Sequence, residues 1–193
     1  MCSSDLLSSA LERAEQSVAH YQQLLNPLAL CSSLSTLARV HLAARRSPEC
    51  ADNITAAEQT LAPLTHLPNA GLMQSTLDNL RCSVQTQLGL DALPSAMRAM
   101  KARSDPPEAI GASLLVPRED ELRALMIAGR AALAQTELEQ FIGLHPSNPR
   151  AKLLHLRARM VVEPQPERLR RQAHALALEL GMAMQARVIQ TLY

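Results

Sequence analysis

The run His145-Pro146-Ser147-Asn148-Pro149 separates two stretches of helical periodicity, and it leaves few folds open to the chain. Asn148 is suited to cap a helix, because its side-chain oxygen can accept a bond from an orphan amide of the first turn. Pro149 then takes the first helical position, where a missing N–H costs nothing. Residues 149–162 (PRAKLLHLRARMVV) put Leu154, Ala158 and Val161 on one face, widened by Leu153, Leu156 and Met160. Glu163-Pro164-Gln165-Pro166 breaks this helix, since proline disfavours helical geometry in the residue before it. Pro166 opens a second helix (PERLRRQAHALALEL, 166–180) with the stripe Leu169, Ala173, Leu176 and Leu180, and Gly181 closes it. The expectation is an antiparallel helical hairpin.

The same grammar runs through the rest of the chain. Residues 6–25 carry Leu7, Leu11, Ala14, Val18, Tyr21 and Leu25 at spacings of four and three, and Asn26-Pro27 repeats the start signal. A second helix reaches about Arg45, with Leu30, Leu34, Leu37 and His41 inward; His41 reads as a core-edge histidine rather than a ligand. A third covers about 49–66 (Ile54, Ala57, Leu61, Leu64), kinked or shortened by Pro63. A fourth starts at Leu67-Pro68-Asn69, carries Met73, Leu77, Leu80 and Val84, and closes at Gly89; a fifth spans about 92–103. Residues 120–144 read as a helix to Gln135, a turn at Gln135-Thr136, and a shorter helix to Leu144. β-Branched residues are few and strict alternation is lacking, so the fold class expected is all-α: about ten helices in stacked antiparallel hairpins. Residues 7–103 and 119–193 form two sub-stacks. The proline-containing segment 104–118 connects them as an ordered loop packed through Ile110, Leu114 and Leu115.

The helix starts at Val116-Pro117-Arg118-Glu119-Asp120, at Pro149 and after Gly181 lie roughly 34 residues apart, a tetratricopeptide period. The closing run Leu144–Asn148 and the small pair Ala128-Gly129 also fit that pattern, so residues 117–193 resemble a tetratricopeptide-like α-solenoid. Lys152 or Leu153 stands where such repeats carry an early aromatic, and Arg168 or Leu169 where they carry alanine. The resemblance implies a concave face lined by Arg123, Met126, Arg130, Lys152, His155 and Arg159, and a scaffold that binds a protein partner. The hairpin LHPSNPRAKLLHLRARMVV also resembles the tetratricopeptide-like tails of O-antigen ligase or polymerase proteins. That second likeness implies the periplasmic C-terminal domain of a larger bacterial, membrane-embedded glycan enzyme, with its catalytic part upstream. A third reading is a partner-sensing domain of a cytosolic regulator. Cys2-Ser3-Ser4-Asp5-Leu6 matches the translated tail of a common sequencing adapter (TGCTCTTCCGATCT), so residues 1–6 are expected to be an assembly scar on a fragment.

Composition narrows the chemistry. Net charge is +1 and aromatics are 2% of 193 residues; neither a global field nor stacking side chains favour nucleic acid. No catalytic, cofactor or metal motif is read: the glycines are scattered, the histidines lack metal spacing, and no nucleophile elbow occurs. The positive charge gathers late. Arg150, Lys152, Arg157, Arg159, Arg168, Arg170, Arg171 and Arg187 face only Glu163, Glu167 and Glu179 beyond residue 148. Arg168, Arg170 and Arg171 are therefore a candidate basic surface for anionic headgroups or an acidic partner, against the plainer reading of a solvated face.

Four cysteines (Cys2, Cys31, Cys50, Cys82) show no CxxC spacing. At about 1.5 Å per residue, antiparallel stacking brings Cys82 to the level of Cys50 and leaves Cys31 at the opposite end. A Cys50–Cys82 bridge, implying an oxidising compartment, stands beside the alternative of buried thiols.

Overall fold

A computed structural model describes the backbone of residues 2–67, 70–104, 119–144 and 148–192. Among them the chain is all-α, with ten α-helices and no strand. It divides into two compact units, Met1–Glu108 and Ala109–Tyr193.

The first unit holds α1 (Cys2–Gln23), α2 (Pro27–Ala43), α3 (Ser47–Leu61), a 3-10 turn (Ala62–Leu64), α4 (Ala70–Gln87) and α5 (Leu93–Ser104). α2 packs against α1, α3 and α4, and α4 packs on to α5. The core is Leu34, Ala38, Ile54, Ala57, Leu61, Leu77, Leu80 and Val84, the stripes that period-3.6 spacing marks out. Polar cross-links fix the antiparallel register. Ser17 and Ser33 hydroxyls are 2.8 Å apart, Ser47 reaches Gln87, and the Ser75 hydroxyl donates to the Ala99 carbonyl at 3.1 Å. Asp78, buried on α4, takes a 2.8 Å ion pair from Arg98 of α5. Hydroxyls inside helices bond back one turn (Ser35 to Cys31, Thr36 to Ser32, Thr86 to Cys82), which satisfies them without a tertiary partner.

Helix boundaries follow two devices. Asn26 accepts from the Ala29 amide at 3.1 Å, and Asn148 from the Arg150 amide at 3.0 Å, each just before a proline. Ends use one residue of positive φ: Gly89, Gly129 and Gly181, but also Leu25 (φ 51°) and Arg45 (φ 57°). At each, the next amide bonds back five residues, as from Arg130 to Leu125 and from Asn26 to Tyr21. This corrects three boundaries. α1 stops at Gln23, and Leu25, expected in its inner stripe, is 88% exposed in the left-handed turn. α3 starts at Ser47, with Pro48 in its first turn, and stops ahead of Pro63. The turn expected at Gln135-Thr136 falls at Ala128–Arg130, because only Gly129 takes a φ of +71° at no steric cost. The starting signal Pro68-Asn69 and the loop residues Ile110, Leu114 and Leu115 lie outside the described residues. Cys2–Leu6 continue the first helix.

Cys31, Cys50 and Cys82 are fully buried thiols, and Cys50 is not bridged to Cys82 in the structure. Ser47 reaching Gln87 keeps the start of α3 beside the end of α4, as antiparallel stacking requires, but azimuth separates the two thiols. At about 100° per residue, Cys82 lies on the far side of α4 from the Met73–Leu77–Leu80–Val84 stripe that packs with Cys50. It falls instead beside Ser75 and Asp78, the two residues that bond to α5. Burial raises the Cys31 thiol pKa, partly offset by Ser35, and pushes Cys50 up to about 11, partly offset by its bond to the Leu42 backbone.

The second unit holds α6 (Glu119–Ile127), α7 (Ala131–Leu144), α8 (Pro149–Val162), α9 (Glu167–Glu179) and α10 (Ala183–Leu192). α8 packs against α6, α7 and α9, and α9 against α10. Leu153, Leu156, Met160, Leu169, Ala173, Ala177, Ala186 and Ile189 form one core. The centre of the inward face of α8 is thus Leu153–Leu156–Met160; Leu154 and Val161 are half-buried.

Candidate partner surface

α8 determines what the second unit can present. Its sequence is barely amphipathic because neighbours cover it on several sides: Leu153, His155, Leu156, Ala158 and Met160 are all buried. The helix therefore exposes only its first turn and the ends of its long side chains.

The six residues expected on one concave face part company here. Arg130 and Lys152 are exposed and have no ion-pair partner among the described residues. Arg123 is half-exposed and leans back on Asp120 at 3.4 Å within α6. Met126 is half-buried. Arg159 folds on to Glu163 one turn along, its Nε 2.7 Å from the carboxylate. His155 is buried, 7% exposed, so it belongs to the interior and not to an open face. Burial lowers its pKa, the Arg159 charge lowers it further, and Glu163 partly offsets both. The reason is register: positions 152, 155 and 159 do share a face, but that face is covered at its middle.

The basic residues of the last hairpin likewise divide. Arg157 is consumed internally, 2.6 Å from Glu119 of α6 and hydrogen-bonded to Gln185 of α10 at 3.3 Å. Arg168 and Arg171 are exposed on α9, and Arg170 beside them is half-buried. Arg168, Arg171, Ala175 and Leu178 succeed one another at three and four residues, opposite the Leu169–Ala173–Ala177 core stripe. They form the outward face of α9. Leu178 on that face is 54% exposed.

Reading by sequence alone missed two acids. Glu119 and Asp120 open α6, and Glu119 holds Arg157 across helices. Glu121, next to them, is fully buried. A clue existed in the three consecutive acids opening a nine-residue helix, more than its dipole can use. Among the described residues no cluster of three or more His, Cys, Asp or Glu could hold a metal ion, and no helix is long and apolar enough to cross a membrane.

These features define a chain of two all-helical units whose C-terminal unit centres on a buried helix and carries exposed cations. No family model, curated protein or solved structure matches it.

Proposed function

We propose that the chain is a helical-hairpin scaffold of the tetratricopeptide-like kind, holding a protein partner through its second unit. The observation that carries this reading is the packing of next-but-one helices, α2 on α4 and α6 on α8, alongside the consecutive pairs within each unit. Successive hairpins that stack in this way bury a shared core and leave one row of helices to face a partner. The exposed Arg130, in the turn that ends α6, and Lys152, in the first turn of α8, are the contact residues proposed.

Photo-crosslinking in living cells tests it. A photoreactive residue is placed at Arg130, at Lys152, or at the α1 control position Arg13, which is also exposed. The reading expects one protein joined from Arg130 and Lys152, absent from Arg13, and lost from the Arg130 position on Lys152→Glu. Equal labelling from all three positions, or none, overturns it.

A further inference from the structure

We infer that the outward face of α9 docks on the surface of an anionic phospholipid bilayer. The whole chain carries a net charge of only +1, yet Pro149–Glu179 holds seven Lys and Arg against three Glu. Two of those cations, Arg157 and Arg159, are taken by Glu119 and Glu163. Of the others, Arg168 and Arg171 point outward from α9, exposed and with no ion-pair partner among the described residues. Of the two glutamates of α9, Glu167 opens the helix ahead of Arg168 and Glu179 closes it after Leu178, so the arginines hold the first half of the face.

Charge complementarity calls for an anion, and Leu178 decides between anions. It stands on the same outward stripe two turns along, 54% exposed, where an apolar side chain gains nothing from water. A bilayer surface offers phosphates to the guanidinium groups and an acyl boundary to the leucine, in the same plane. An acidic peptide would use the arginines alone. This inference does not rest on the protein-scaffold reading, since the α9 face includes neither Arg130 nor Lys152.

The test is co-sedimentation of the full chain with phosphatidylglycerol–phosphatidylcholine vesicles and with pure phosphatidylcholine vesicles, at low and high salt. Binding is expected to the anionic vesicles only, falling as salt screens the charges. Each arginine replaced by alanine should weaken partitioning about fivefold, from about 1 kcal/mol per basic residue near such a surface. Arg168→Glu/Arg171→Glu should abolish it, and Leu178→Ser should weaken it at unchanged salt dependence, with helicity checked by circular dichroism. No binding, equal binding to both vesicle types, or binding that survives the double reversal overturns the inference. Binding of a polyglutamate peptide without vesicle binding also overturns it, and assigns the face to an acidic protein.

Discussion

Nε of Arg157 lies 2.6 Å from a carboxylate oxygen of Glu119, with both side chains about four-fifths buried (18% and 21% exposed). The same guanidinium bonds Gln185, so one side chain on α8 ties α6 to α10. A pair this deep has lost much of its hydration, so it gains its keep only while both charges are present.

Removing one partner should therefore cost more than removing both. Arg157→Met or Glu119→Gln alone is expected to lower stability by about 2 kcal/mol. The double variant should recover part of that loss. A urea-denaturation double-mutant cycle measures the coupling; strictly additive losses would mean that the pair contributes nothing.

The left-handed closures make a second prediction, of opposite sign at two positions. Gly129 sits at φ +71° with open space around it, so Gly129→Ala pays only the backbone strain, about 1 kcal/mol. Leu25 already pays that strain and buries nothing. Leu25→Gly should raise stability by about 1 kcal/mol, seen as a higher melting temperature. Unchanged melting of both variants would contradict the turn geometry.

His155 gives the second unit a pH dependence. The unfolded chain protonates its histidines near pH 6.5, whereas burial holds the folded His155 neutral to lower pH. Protons thus favour the unfolded state. The contribution of His155 is intact above about pH 6.5 and declines as pH falls below it. His155→Gln should show a smaller drop in urea midpoint between pH 7.5 and 5.5 than the wild type; parallel drops would place His155 in solvent.

The thiols should be slow. Cys31, Cys50 and Cys82 are fully buried, and burial opposes the thiolates of Cys31 and Cys50. Alkylation under native conditions should miss all three and capture them after denaturation. Raised folded pKa values also mean that stability present below about pH 9 is lost as pH climbs towards 11, the Cys50 value. A peptide map containing a Cys50–Cys82 cross-link would contradict the placement of Cys82 on the α5 side of α4.

What could be read from the chain and what could not separate along physical lines. Asn-Pro starts at Asn26 and Asn148 and glycine stops at Gly89 and Gly181 are local, so their capping chemistry declares itself. Leu25 and Arg45 end helices in a conformation their side chains disfavour, and nothing local announces that. The Gly129 stop was passed over because apolar periodicity runs on through Ala131 to Ala134 and masks it. The helix register of the tetratricopeptide likeness puts His155 on an open face; that α8 is covered on several sides is a property of α6, α7 and α9 together. The Cys50–Cys82 expectation used axial rise without azimuth, half of what a helix specifies.

The position of α8 as the buried centre of the second unit is the claim on which most of the account depends, and hydrogen exchange of the full chain tests it most directly. Within 119–192, the amides of Leu153–Met160 should be the slowest to exchange. Residues 128–130 should be fast, and 134–138 protected as the interior of α7. Rapid exchange across 153–160, or protection through Gly129 with an opening at Gln135-Thr136, would contradict it.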